Sequence, residues 1–291
     1  MKNLSELKQH LNAVEQTRQI TNAMYLLSTS RMKKSMQNIN FNLMYLKRLR
    51  ATMKDILSKS KRNDVTNPFI EFQEQGKPLF FVITSDKGMC GGYNSNIVNL
   101  AFENMEKYDD PILCSLGLIG TEIFENHGIK PAYKWYGASQ KPTIYLARDA
   151  AEKITEFYEN HIANEVFIVY TKYVNSAVQV PVCKRILPLL RRDFADIEYE
   201  YEYTAQPIYE PSAQKVFDQM VPNYLVGFMY DVFMQSATCE NYARMNAMQN
   251  ATKNADEMIS KLSTEINAAR QLEITNEITE IAAASEVSDT K

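Results

Sequence analysis

Glycine and proline are missing from both ends of this 291-residue chain: neither occurs between Met1 and Asn67, nor between Phe228 and Lys291. These are the two residues that interrupt helices, so each end is free to run as one long helix. All nine glycines and all ten prolines fall between Pro68 and Gly227, which places the turns, and with them a compact domain, in the middle. Histidine is scarce, with His10, His127 and His161 only, and the four cysteines (Cys90, Cys114, Cys183, Cys239) form no C-x-x-C pair. Neither a zinc site nor a disulfide framework is indicated. No run approaches the ~18 apolar residues that cross a bilayer, and the opening MKNLSELKQH lacks a signal peptide's apolar stretch. The expectation is a cytosolic chain, or one peripheral to a membrane on its cytosolic side.

What the ends do carry is periodicity. Met245, Met248, Thr252, Ala255, Ile259, Leu262, Ile266 and Ala269 alternate spacings of three and four, the seam of a helix that coils against another. Leu4, Leu7, Leu11 and Val14 open a matching seam in a first helix read over Leu4–Ser60. Arg18 and Thr21 then fall on its apolar positions, so a phase shift through Ile20, Met24 and Leu27 is expected before Ile39, Leu43, Leu46, Leu49, Met53 and Ile56 resume it. Charge is segregated behind the net −3: residues 1–62 hold thirteen Lys and Arg against three Asp and Glu, and residues 228–291 hold five against ten. Opposite flanking charges favour antiparallel pairing, acting on register more than on stability. Positive charge spread over so long a helix in an acidic chain argues against nucleic acid as a partner.

The middle alternates strand and helix signals. Strands are read at Pro78–Thr84, Pro111–Leu116, Pro131–Tyr136, Val166–Tyr173 and Val178–Cys183, with a further edge strand at Ile197–Tyr203. Helices are read through Ile97–Met105, Gly120–His127 and Asp149–Asn160, which makes a small α/β domain. Pro207, Pro211 and Pro222 punctuate the return into the terminal helix, with Pro211-Ser212 as its start. The boundaries are therefore 1–67 for the N-terminal long helix, 68–210 for the α/β domain and 211–291 for the C-terminal long helix.

One stretch looks like chemistry: Thr84 to Asn94, TSDKGMCGGYN, between a strand and a helix. Its glycines could let backbone N–H groups close on a phosphate with Lys87 supplying charge, yet the spacing fits neither G-x-x-x-x-G-K-[ST] nor G-x-G-x-x-G. The alternative is a tight surface turn that holds Lys87 outward. Cys90 beside glycines would be a nucleophile only with an activating base, and no histidine lies near it in sequence. Glu277 and Glu280, one helical turn apart, read as a solvated face rather than an acid/base pair. Arg244 and Arg270 lie at or near the seam and read as interface ion pairs, within the coil or with another subunit.

With those segments in place, the chain resembles the gamma subunit of F-type ATP synthases over nearly its whole length. Three separated blocks carry the resemblance: Ile20 to Met24 with Ser30 and Met32; Thr84 to Asn94, where Met89 replaces the usual leucine; and Arg244 to Ala255 followed by Asn267 to Ile281. The resemblance implies an antiparallel two-helix coiled coil formed by the termini plus a central Rossmann-like α/β domain. It also implies the role of a central rotating stalk: the coil stands inside a ring of three alpha and three beta subunits, and the α/β domain sits against epsilon and the membrane c-ring. Such a subunit couples transmembrane ion flow to ATP synthesis or hydrolysis at the beta subunits, with no catalytic, cofactor or metal site of its own, and meets the membrane only through the complex.

Carried over by position, Met24, Lys87, Arg244, Asn254, Arg270, Gln271, Thr275, Glu277 and Glu280 are the expected rotor–stator residues. Glu6 and Glu15 interrupt the basic opening usual in the family, and the ending Glu280-Ile281-Ala282-Ala283-Ala284 departs from its pattern, leaving a polar tail from Ser285 that is expected to fray. No cysteine-bearing insertion stands between Arg192 and Tyr209, so thiol regulation of the chloroplast kind is not expected. The lack of a transit peptide favours a bacterial origin and the cytoplasmic face of the cell membrane. Two other readings remain at this level: a free-standing α/β enzyme holding a phosphate compound at Ser85–Asn94, and a coiled-coil scaffold without a rotary role.

Overall fold

Strand β1 (Lys77–Ile83) buries every residue after its lysine. Neighbours on a strand point to opposite faces, so such a run needs cover on both sides. The computed structural model supplies that cover; it describes residues 4–59, 65–137, 142–175, 178–194 and 208–289, without the side chains of 38, 40, 41, 59 and 283–289. Beside β1 lie β2 (Ile112–Leu116) and β3 (Tyr133–Trp135) on one flank, and β4 (Ala163–Tyr173) and β5 (Gln179–Leu187) on the other, in the order β3-β2-β1-β4-β5. All pairings are parallel except β4 with β5.

The chain divides into two units, Thr29–Arg244 and Met1–Ser28 with Met245–Lys291, so each terminal helix contributes to both. In the first unit, α2 (Tyr93–Met105) and α3 (Leu118–Asn126) cover one face of the sheet, where Phe80 and Val82 meet Ile97, Ala101 and Phe124. The opposite face, Leu79, Phe81 and Ile83, is covered by α4 (Ile144–Glu159) and by parts of α1 (Leu4–Lys59) and α5 (Ala213–Asp289). Phe81 stands 5.1 Å from Trp135 and 6.0 Å from Phe233, centroid to centroid, which ties α5 to the sheet through aromatic contact.

Several expectations change here. The seam read over Ile39–Ile56 does not continue a coil: Leu46, Met53 and Ile56 belong to the sheet's core, each at about 1.5–3 kcal/mol of burial, and Leu43 is exposed. Helix α4 starts ahead of the predicted Asp149, because Thr143 Oγ1 accepts from Leu146 N at 3.3 Å and caps it. Ser212 does the same for α5, its Oγ accepting from Lys215 N at 3.3 Å, as the sequence predicts. Pro222, read as punctuation, lies inside α5. An interior proline costs about 3 kcal/mol, but Phe217, Val221 and Leu225 around it are fully or nearly fully buried and hold the helix in place. Helix α5 runs to Asp289, through most of the tail expected to fray. The predicted strand Ile197–Tyr203 lies outside the described residues.

The second unit is a pair of helical segments. Leu7 and Val14 bury against Ala255 and Leu262, with Leu11, Ile259, Ile266 and Ala269 packed around them. Arg18 meets Asp256 while Thr21 meets Thr252, so position rises along one helix as it falls along the other and the pair is antiparallel. The expected phase shift after Val14 is absent. Leu7, Val14, Thr21 and Ser28 are all buried at steps of seven, whereas Ile20 and Leu27 are exposed. The seam keeps its heptad by accepting small polar residues, and Thr252 Oγ1 donates to Thr21 Oγ1 at 2.8 Å.

The Arg18–Asp256 bond is short, 2.6 Å, but both side chains are about half exposed at 45% and 51%. Arg18→Ala is therefore expected to cost no more than ~1 kcal/mol in urea unfolding, and less again in high salt. A larger, salt-independent loss would mean that the arginine's aliphatic stem packs on the seam.

Candidate functional site

After Ile83 the chain turns through Thr84–Gly92 before α2 begins. Thr84 Oγ1 donates to Leu116 O at 3.1 Å and accepts from Gly120 N at 3.1 Å, tying the end of β1 to the start of α3. Two glycines permit that approach: a Cβ on Gly117, whose φ is +103°, would sit 2.3 Å from Thr84 O, and one on Gly120 would sit 2.4 Å from Thr84 Oγ1. Asn94 then closes the loop. Its Oδ1 accepts from Ser85 N at 2.9 Å, and its Nδ2 donates to Ser85 Oγ at 2.7 Å and Cys90 Sγ at 3.3 Å. Ser85 Oγ donates to Lys87 O at 2.8 Å, and the left-handed Met89 and Gly91, φ 60° and 57°, complete the turn. Lys87 is exposed at its tip, as the surface-turn reading expects.

The turn is gripped from far along the chain. Arg244 Nη2 donates to Lys87 O at 2.8 Å and to Gly88 O at 3.3 Å, with Nε donating to Gly88 O at 3.4 Å. Its Nη1 donates to Glu240 Oε1 at 2.6 Å, one turn back on α5. Both side chains are withdrawn from water, to 9% and 1% exposure. The ion pair expected of Arg244 is thus met inside its own unit. Beside it the Tyr93 phenol is pushed well above its ordinary pKa, first by burial and then by the Glu240 charge, and stays protonated. Burial likewise raises the Cys90 thiol, which is 2% exposed, so it is no activated nucleophile.

A sheet of this order would take a ligand outside the C-terminal ends of β1 and β4, where the chain switches sides. That crevice is filled by α5: Gln235 Oε1 accepts from Tyr173 N at 3.2 Å at the end of β4, and Arg244 spends its donors on the turn's own carbonyls after β1. The geometry is that of a locked turn, not of a phosphate cradle. No group of three or more metal-ligating side chains stands together among the described residues.

Of the remaining sequence-predicted positions, Met24 is half-buried on α1, and Asn254, Arg270, Gln271, Thr275, Glu277 and Glu280 are exposed on α5. Thr275 Oγ1 donates back to Gln271 O at 2.8 Å. Within one unit the structure brings together Lys87 and Arg244; the others belong to the helix-pair unit. Sequence reasoning missed Glu240, although its place four residues before Arg244 is the spacing of a helical ion pair. Beyond Ala269, α5 is exposed on every described side, with Leu272, Ile274, Ile278 and Ile281 between 45% and 69% exposed.

The ATP synthase family model matches residues 3–287. Among curated relatives, the ATP synthase gamma chain of Ruminiclostridium cellulolyticum is 36% identical over 287 residues, covering 96% of each chain. That of Streptococcus pneumoniae serotype 2 is 32% identical, covering 97% of each. Among solved structures, a chain of the Euglena gracilis mitochondrial ATP synthase (OSCP/F1/c-ring, rotational state 3) shares the fold with a TM-score of 0.69 at 13% identity, covering 98% of this chain and 94% of that one. A chain of the rotor of the same synthase gives 0.63 at 15% identity, covering 93% and 98%.

Proposed function

The chain belongs to the ATP synthase gamma-chain family, and from that premise we propose that it is the central rotating stalk of an F-type ATP synthase, a non-catalytic subunit that couples ion flow to ATP synthesis or hydrolysis at the beta subunits. The observation that carries this reading is the end of α5: from Arg270 to Ala282 every residue is exposed, large apolar side chains among them, past the last seam residue Ala269. Such a surface calls for cover by other chains. A ring of alpha and beta subunits supplies it, with Arg270, Gln271, Thr275, Glu277 and Glu280 meeting the beta subunits and Met24 and Asn254 on the shaft. Lys87, held out by its turn, reaches toward a beta subunit, and Arg244 positions it. In this reading residues 1–67 and 211–291 provide the shaft and 68–210 the domain that meets the c-ring and an epsilon subunit. No helix among the described residues is long and apolar enough to cross a membrane; the complex carries the chain at the cytoplasmic face of a bacterial membrane.

The physics is differential contact. A stalk whose faces differ stabilises one state of each beta subunit over another as it turns, and no residue of it need touch nucleotide. The test is reconstitution with alpha and beta subunits of a bacterial relative. One complex containing all three chains is expected, with ATPase activity that depends on this chain. Arg270→Ala/Glu277→Ala should change the turnover roughly 5-fold or more, the low end of typical coupling energies. Failure to co-purify, or an unchanged rate in the double variant, would remove the stalk assignment or these two contacts respectively.

A further inference from the structure

Where the chain enters the sheet, at the end of β1 remote from the locked turn, lies an open groove of about 690 Å³. It is built from the stretch that leads into β1 and from the link between α4 and β4, all within the unit Thr29–Arg244. Roughly 20 Å of strand separates the two ends of β1, so the groove and Lys87 stand at opposite ends of the sheet.

The stretch that forms the groove sends one aromatic ring inward and presents another. Asn67 Oδ1 accepts from Phe69 N at 3.0 Å and Asn67 Nδ2 donates to Asp218 Oδ1 on α5 at 2.7 Å, which seats the buried Phe69 ring 5.8 Å from that of Tyr158. Phe72 is the opposite case, at 63% exposure. Its neighbours on both sides are tied down: Tyr158 Oη donates to Glu71 O at 2.9 Å, and His161 Nδ1 donates to Gln73 Oε1 at 3.0 Å. The ring is held at the groove rather than left there by a slack loop. Around it stand Glu71, Glu74 and Glu159, all exposed. No ion pair engages these three carboxylates, and no lysine or arginine lines the groove, among the described residues. Nor do three of its acidic or histidine side chains stand close enough together to hold a metal ion.

We propose that this groove docks an extended basic segment of a partner protein, with an arginine of that segment stacked on the Phe72 ring and paired with Glu71 or Glu74 while a further cation meets Glu159. Charge complementarity selects this occupant. Nucleic acid, free phosphate and anionic lipid would all be repelled by the lining. A wholly apolar ligand would strip water from three carboxylates and return no bond to them. Carboxylates too far apart to share one metal ion match cations spaced along a chain, and a guanidinium alone offers both a flat face for the ring and a fork for a carboxylate. The docking goes beyond the stalk reading and does not rest on it, since the groove is formed by this chain alone.

The test uses the full chain and a fluorescein-labelled eight-residue peptide that alternates arginine with leucine, followed by anisotropy at physiological salt. One saturable site is expected, with the lysine counterpart bound about fivefold more weakly and the glutamate counterpart not bound at all. Glu71→Gln/Glu74→Gln should weaken the arginine peptide about tenfold. Phe72→Leu keeps an apolar side chain but loses the ring face, and should weaken it about threefold. Glu103→Gln/Glu106→Gln removes the same charge from exposed positions on α2 and should leave binding unchanged. All the replaced side chains are exposed, so the helical circular dichroism of each variant should match the parent. Absence of saturation, or equal weakening by the two glutamate pairs, would reduce the effect to general attraction by an acidic surface and overturn the proposal. So would unchanged affinity in Phe72→Leu, displacement of the peptide by millimolar Mg²⁺, which would make a metal ion the occupant, or self-association in sedimentation that Glu71→Gln/Glu74→Gln abolishes, which would make it a second copy of this chain.

Discussion

Replacing Arg244 with leucine is expected to cost about 3–5 kcal/mol of unfolding free energy, among the largest effects available from one side chain in this protein. The reason lies less in the bonds lost than in the charge left behind. Glu240 is 1% exposed and its Oε1 is held by Arg244 at 2.6 Å; without the guanidinium it becomes a buried carboxylate with its counter-charge gone. The carbonyls of Lys87 and Gly88 lose their donors at the same time. The measurement is guanidinium denaturation followed by the fluorescence of Trp135, the single tryptophan of the chain, which sits in the same unit against Phe81. The double variant Arg244→Leu/Glu240→Leu should recover much of the loss, since removing both charges abolishes the desolvation penalty that removing one exposes. A single variant that costs under ~1 kcal/mol would mean that Glu240 simply takes up a proton and that the clamp contributes little.

Gly117→Ala should cost about 2–5 kcal/mol, from two sources that add. Its φ of +103° is strained for any residue with a Cβ, and that Cβ would come within 2.3 Å of the Thr84 carbonyl oxygen and 2.6 Å of its carbon. The first term is of the order of 1–2 kcal/mol and the second of 1–3 kcal/mol, because a backbone neighbour cannot swing away as a side chain would. Gly91→Ala is the matched comparison. It also has positive φ, +57°, but nothing lies within 4 Å of the added carbon. It should cost only about 1 kcal/mol, the strain without the overlap. Equal losses in the two variants would show that conformation alone, not the approach of α3 to β1, requires glycine at position 117.

The long helices were legible because their signal is local and repeated. Absence of glycine and proline, with seams such as Met248, Ala255 and Leu262, specifies a helix and its buried side without knowledge of the partner. The strands were legible because buried parallel strands are short continuous apolar runs. What stayed hidden depends on neighbours that are remote in the chain. Nothing around Ile39–Ile56 tells whether that periodic face meets a helix or a sheet, and the answer came from Phe81 and Phe217, in other elements. Pro222 reads as a break because propensity is local, while the burial of Val221 and Leu225 that outweighs it is tertiary. The seam through Thr21 and Ser28 failed as an apolar pattern because two hydroxyls meeting each other, Thr21 and Thr252, satisfy a buried position as well as two methyls would. Of the site, the turn was readable as a motif, but its lock was not: Arg244 and Lys87 are separated by 157 residues, and the atoms that receive the bond are backbone carbonyls, which leave no mark in a sequence.

The fork that Arg244 places on two successive carbonyls also has a mechanical meaning. Three contacts at 2.8, 3.3 and 3.4 Å to Lys87 O and Gly88 O lie off the axis of α5. Turning the helix about that axis would therefore shear all of them at once, and a planar guanidinium cannot relieve the shear by spinning in place as an ammonium would. Where a lysine would act as a swivel, Arg244 acts as a key in a slot, giving α5 torsional stiffness against the domain that holds it.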